Sequence, residues 1–189
     1  ALYAHHESFY GWYFPDETCI ILNYSKDFLN YVNLCSARCH ELTPNKKTLI
    51  APYGTNLVRA NDRFIRSLTE LDVDFIAYQD EVGVRKTKVD KTKRLFEKLK
   101  IAHDKAGRSQ LWADIELFDF EGRVYNSALI PADFERVKKQ ISNVEPYVDK
   151  ILGYQFLGLM NPPGSLSFAG HENSAKFYEN YKNYLEELK

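Results

Sequence analysis

Five times along the chain, a short apolar run is followed by a stretch of helical period. The runs are GWYFPD (11–16), TLIAPY (48–53), VDFIAYQ (73–79), QLWADIE (110–116) and KILGYQF (150–156). The stretches cover residues 25–42, 61–71, 89–106, 131–144 and 173–188. Each places apolar residues three or four apart, as Phe64, Ile65, Leu68 and Leu71 do, so each predicts a helix with one buried stripe. Ser25 is positioned to cap the first helix, Gly107 to close the third and Pro131 to sit in the first turn of the fourth. Short apolar strands separated by helices pair in parallel, because a crossover helix returns each strand in the same direction.

The links between these elements are unequal. Helix-to-strand links such as 43–47 and 107–109 are brief, whereas strand-to-helix links (17–24, 54–60, 80–88, 117–130 and 157–172) are long. The long links carry the Gly, Pro, Asn and aromatic residues. In a (β/α)8 barrel it is the strand-to-helix loops that build the active face. The expected fold is therefore α/β: a (β/α)8 TIM-type barrel, with residues 1–189 as a single domain supplying its last five β–α units. At ~30–40 residues per unit, roughly a hundred residues are expected before residue 1. The opening stretch ALYAHHESF fits this expectation, since it lacks Met and reads as the end of a helix in a trimmed or mature product. A half-barrel completed by another segment and an open five-stranded sheet are the alternatives.

Several functions lose support at once. Neither GxGxxG nor GxxxxGK[ST] follows any strand, so nucleotide binding has no phosphate loop. Lys and Arg number 25 against 26 Asp and Glu, which leaves no basic excess for nucleic acid, and the Lys/Arg-rich stretch 86–100 reads as a solvated helix face. No apolar run is long enough to span a bilayer. Cys19, Cys35 and Cys39 form no zinc spacing, and adjacent His5 and His6 would point apart on a helix. No cofactor and no metal site is expected, and the sequence leaves the oligomeric state open.

Carboxylates mark the strand ends. Glu17 follows the first strand and Glu116 ends the fourth. Alternation along LWADIE turns Leu111, Ala113 and Ile115 to the helices and Trp112, Asp114 and Glu116 to the barrel axis. Polar residues on the inner side near the top of a barrel are not core formers. Two carboxyls converging from different strands suit glycoside hydrolysis, in which one donates a proton and the other attacks carbon or activates water. An aromatic setting can split their proton affinities, and aromatics are abundant, with 13 Tyr and 12 Phe. Trp12, Asp16, Tyr53, Gln79, Asp80, Trp112, Asp114 and Gln155, at or near strand ends, are the expected substrate contacts.

The set GWYFPDE, IAPYG, DFIAYQDEVG, LWADIELF and ILGYQFLG resembles the DUF4434 family of glycoside-hydrolase-like bacterial barrels. The resemblance implies a TIM-type barrel, a carbohydrate ligand and an exported protein, periplasmic or at the cell surface. The layout is also similar to a clan of retaining glycosidases with glutamates ending strands four and seven. Carried over by position, Glu17 is the acid/base and Glu116 the nucleophile. That clan has Asn before its strand-four Glu, whereas this chain has Asp16, which could itself be the working acid. The alternatives are a non-catalytic carbohydrate-binding barrel and a metal-assisted hydrolase using Asp80, Asp114 and Glu116.

Overall fold

The computed structural model describes residues 2–168 and 170–188. A five-stranded parallel sheet runs in chain order: β1 (Gly11–Tyr13), β2 (Lys47–Ile50), β3 (Phe75–Gln79), β4 (Gln110–Glu116) and β7 (Lys150–Tyr154). Between them lie α1 (Lys26–Leu42), α2 (Asp62–Glu70), α3 (Val89–Ala106) and α4 (Phe134–Val144), and α5 (Ser174–Glu187) follows β7. The sheet is curled into a half-barrel with its helices on the outer side. The expected helix signals act as read. Ser25 accepts from the Phe28 N–H, and Gly107 adopts a left-handed φ of 62° while its N–H reaches the His103 carbonyl.

Two local expectations are corrected. The 117–130 link is not a plain loop: it carries an antiparallel hairpin of β5 (Phe118–Phe120) and β6 (Leu129–Pro131). Pro131 ends β6 opposite Phe118, and α4 begins after the Asp133 cap. A proline tolerates this place because β6 is an edge strand that does not need its N–H. At the start of the chain, residues 2–7 form turns and a bend where a helix end was expected, and Ala1 lies outside the described residues.

Strand parity splits the apolar residues into two layers. Ile50, Ile76, Tyr78, Leu111, Ala113 and Ile115 face the helices and pack with Phe64, Leu68, Phe96, Leu99 and Val137. Ala51, Phe75, Ala77 and Trp112 face the concave side, flanked by Leu49 and Leu152. There Phe75 stacks on Trp112 with ring centroids 4.1 Å apart. This apolar floor borders an open groove of about 420 Å³. Above it, toward the C-terminal ends of the strands, the inward residues become polar.

Candidate active site

The inward row begins on the first strand with Tyr13. Its hydroxyl donates to Glu17 Oε1 at 2.6 Å. Gln79, at the end of β3, donates from Nε2 to Glu17 Oε2 at 3.1 Å and to the Ala51 carbonyl at 3.1 Å. Both Glu17 oxygens are thus engaged as acceptors, the pattern of an ionised carboxylate. Burial and the neighbouring charges of Glu17 and Asp114 push the Tyr13 hydroxyl pKa upward, so it remains a donor. Asp114 pairs in register with Gln79. Burial, then the charges of Asp80 and Glu17, raise the Asp114 carboxyl to about 7. Among the described residues its side chain takes no protein hydrogen bond.

Glu116 lies two residues further, opposite Tyr154. It is 6% exposed. Its Oε2 accepts from the Val84 N–H at 2.8 Å. Burial, followed by the charge of Asp80, raises it to about 8, against a partial offset from the Val84 and Gly83 amides. Residue 83 must be glycine for this approach, since a Cβ there would meet the Phe118 carbonyl at 2.6 Å and Glu116 Cβ at 3.0 Å. Burial thus carries both acids of this strand end well above the usual carboxylate range.

The loop from 80 to 88 forms the adjoining wall. Glu81 has a left-handed φ of 56°, and its carboxylate oxygens are buried with no hydrogen-bond partner among the described residues. Lys86 Nζ stands 3.8 Å from Glu81 Oε1 and 5.0 Å from the centroid of the Tyr53 ring. Arg85, also left-handed, clamps the loop to the hairpin through Asp119 and the Phe120 carbonyl. Non-glycine left-handed residues gathered over one site are backbone strain held by the surrounding packing.

The expected site residues fall into two groups. Glu17, Gln79, Asp114 and Glu116 share the inward face near the strand tops. Tyr53 belongs with them through Lys86, and Trp112 lies one layer below in the apolar floor. Trp12, Asp16 and Asp80 sit elsewhere. Trp12 precedes inward Tyr13, so alternation sends it to the helix side, where Nε1 donates to Thr43. Asp16 is exposed beside Tyr31 of α1. Asp80 follows inward Gln79 and is 0% exposed beneath the sheet, bonded to Gln140 of α4. Gln155 is half-buried just beyond β7. Tyr13 and Lys86 were not among the expected contacts. Tyr13 faces inward because it pairs in register with Leu49, a placement the short strand pattern leaves open. Among the described residues, no group of three His, Cys, Asp or Glu is placed to hold a metal ion, and no helix is long and apolar enough to cross a membrane.

A curled parallel sheet with helices on its outer side and carboxyls gathered at its strand tops defines an α/β half-barrel, consistent with part of a TIM-like barrel. Residues 1–167 match the family described as "Domain of unknown function (DUF4434)", and the chain belongs to that family. A crystal structure of a "putative alpha-L-fucosidase" from Bacteroides thetaiotaomicron VPI-5482 has the same fold, with a TM-score of 0.76 and 22% sequence identity. The alignment covers 96% of this chain but 57% of that one, so the chain spans little more than half the neighbour's length. A comparison with curated proteins finds no match.

Proposed function

We propose that this cleft hydrolyses O-glycosyl bonds of a polysaccharide or glycoconjugate. The observation that carries the reading is the split among its carboxyls. Glu17 is engaged by two donors, while burial raises Asp114 to about 7 and Glu116 to about 8. Glycosidases need that pair of states, one acid to protonate the leaving oxygen and one base or nucleophile. The glycosidase description of the Bacteroides neighbour supports the class of reaction.

Environment favours the opposite division of roles from the positional carry-over. Glu116 becomes the proton donor, and Glu17 becomes the group that attacks the anomeric carbon or draws a proton from water. Asp114, on the same row as Gln79, then meets a sugar hydroxyl. A second reading exchanges Asp114 and Glu116, because Asp114 feels the charge of Glu17 and, among the described residues, has no protein donor of its own. We further propose that the half-barrel belongs to a complete (β/α)8 barrel; its curled parallel sheet and its likeness to a longer neighbour support this.

The test is hydrolysis of aryl glycosides, beginning with an aryl α-L-fucoside, by E17Q, D114N and E116Q. E17Q is expected to lose several orders of magnitude on every substrate, because the bond-forming partner is gone. E116Q is expected to lose most on substrates with poor leaving groups and least on activated aryl leaving groups, which need little protonation. If D114N shows that leaving-group dependence instead, the second reading stands. Equal and mild losses in all three, with oligosaccharide binding intact by calorimetry, would leave a non-catalytic sugar-binding barrel.

A further inference from the structure

We propose that Asp80 is a positioning residue for Glu116: from the helix side of β3 it anchors the Glu116 peptide and sets its charge against the Glu116 carboxyl. In turnover this role rests on the glycosidase reading; its measurement does not.

The geometry is a clamp on one peptide. Asp80 Oδ1 accepts from the Glu116 N–H at 3.2 Å and from the Val82 N–H at 3.1 Å. Asp80 Oδ2 accepts from Gln140 Nε2 at 2.6 Å. The same Gln140 nitrogen reaches the Glu116 carbonyl at 3.1 Å, and Arg136 Nη2 donates to that carbonyl at 3.1 Å and to the Phe118 carbonyl at 2.7 Å. Both polar ends of the Glu116 backbone are therefore gripped from beneath the sheet. Asp80 and Gln140 are each 0% exposed, so neither can contact a sugar directly.

The charges around Glu116 are few and can be named. Asp80 and Glu81 face it from the end of β3 and its loop, with Lys86 beyond Glu81. Arg136 faces it from α4 and is itself influenced by Asp119 of β5 and by Asp133. Asp114 stands two residues back on β4, near Glu17, and Tyr154 lies opposite on β7. Of these, Asp80 acts most strongly on Glu116 after burial itself. Burial raises the Asp80 carboxyl to about 6, and bonds from Gln140 and the amides pull it back. Asp80 therefore ionises first as pH rises, and its charge, buried in a medium that screens poorly, holds the next proton on Glu116.

The experiment is carbon-13 NMR of the full 189-residue chain labelled at glutamate Cδ, with the Glu116 signal assigned by its loss in E116Q. The wild-type signal is expected to titrate near pH 8. In D80N the midpoint is expected to fall by about one pH unit or more, a tenfold weakening of proton binding. Circular dichroism and melting establish that the variant is folded. A folded D80N with an unchanged midpoint overturns the proposal, since a merely structural Asp80 would lower the melting temperature and leave the titration in place. If D80N does not fold, Asp80→Ser replaces it. That change removes the charge and leaves a hydroxyl in its place, so it too should lower the Glu116 midpoint, and no change overturns the proposal. Glycoside turnover is a separate arm, measured on a chain extended to the complete barrel: a shifted midpoint with no glycoside hydrolysed there would sink the glycosidase reading and leave the role of Asp80 standing.

Discussion

Tyr13 connects the first strand to the cleft. Its hydroxyl reaches Glu17 at 2.6 Å, and its own ionisation is suppressed by burial and by the acids around it. Tyr13→Phe keeps the ring and removes one donor, leaving Gln79 as the remaining partner of Glu17. A hydrogen bond to a charged group contributes about 1.5–3 kcal/mol. If Glu17 is the attacking or basic group, Y13F is expected to lower kcat/KM by about 10–100-fold. The fold should remain, because Tyr13 is 45% exposed. A kinetically silent Y13F would mean that the Glu17 orientation is set by Gln79 alone. The same residue shows where reading the sequence stopped short. Strand-end position pointed to Glu17, Gln79, Asp114 and Glu116, but face depends on parity. A three-residue strand followed by Pro15 is too short to fix parity from its pattern. Trp12 was therefore expected in the cleft and Tyr13 was overlooked, though they point to opposite sides. Asp80 illustrates the same limit one position past Gln79.

At the scale of elements, alternation of runs and amphipathic stretches located every strand of the main sheet and every helix to within a few residues. The hairpin was the exception. FDF and LIP are three residues each, too short for a period of two to register, and the bonds from Arg85 to Asp119 and the Phe120 carbonyl join segments more than thirty residues apart. α3 shows what the periodic pattern conceals. Its buried His103 ends a polar chain through the helix-side core. Tyr24 Oη donates to Tyr78 Oη at 3.2 Å, Tyr78 Oη lies 3.1 Å from His103 Nε2, and His103 Nδ1 lies 2.9 Å from the Ser109 carbonyl. The order is satisfied with Nδ1–H donating and Nε2 accepting, which requires the neutral ring. Burial accordingly pulls the His103 pKa below its ordinary 6.5. The unfolded chain then takes up this proton first, so the contribution of His103 to stability is intact above pH 6.5 and is lost as pH falls toward the lowered folded value. Asp80, Asp114 and Glu116 act in the other sense, since their raised values favour the folded state as pH falls. Comparison with His103→Gln isolates the imidazole. The variant is expected to be less stable at pH 7.5 by about 1–3 kcal/mol, from the disturbed chain of bonds. The gap should narrow between pH 6.5 and 5. A gap independent of pH would mean that His103 is not held neutral.

At the scale of the molecule, the curled sheet has two edges and an apolar inner floor. Among the described residues, β1 pairs with β2 alone and β7 with β4 alone. Leu49, Phe75, Trp112 and Leu152 line the floor, with Tyr10 stacked on Phe75 and Lys150 over Trp112. Exposed edges invite further strands, and barrel closure is the arrangement that removes them. The proposed complete barrel therefore makes a prediction that needs no substrate. Hydrogen exchange is measured on residues 1–189 and on a longer chain with three β–α units joined ahead of residue 1. In the shorter chain, outward amides of β1 and β7 are expected to exchange much faster than those of central β3 and β4, because no strand covers them. In the longer chain the β1 and β7 amides should slow toward the central values, and binding of a hydrophobic dye to the floor should fall. The cleft would change as well. Closure places new strand tops opposite Glu17 and Glu116, excluding water and strengthening the electrostatics that separate their proton affinities. Unchanged exchange at both edges in the longer chain would count against the closed barrel and favour an open sheet whose concave face is the finished binding surface.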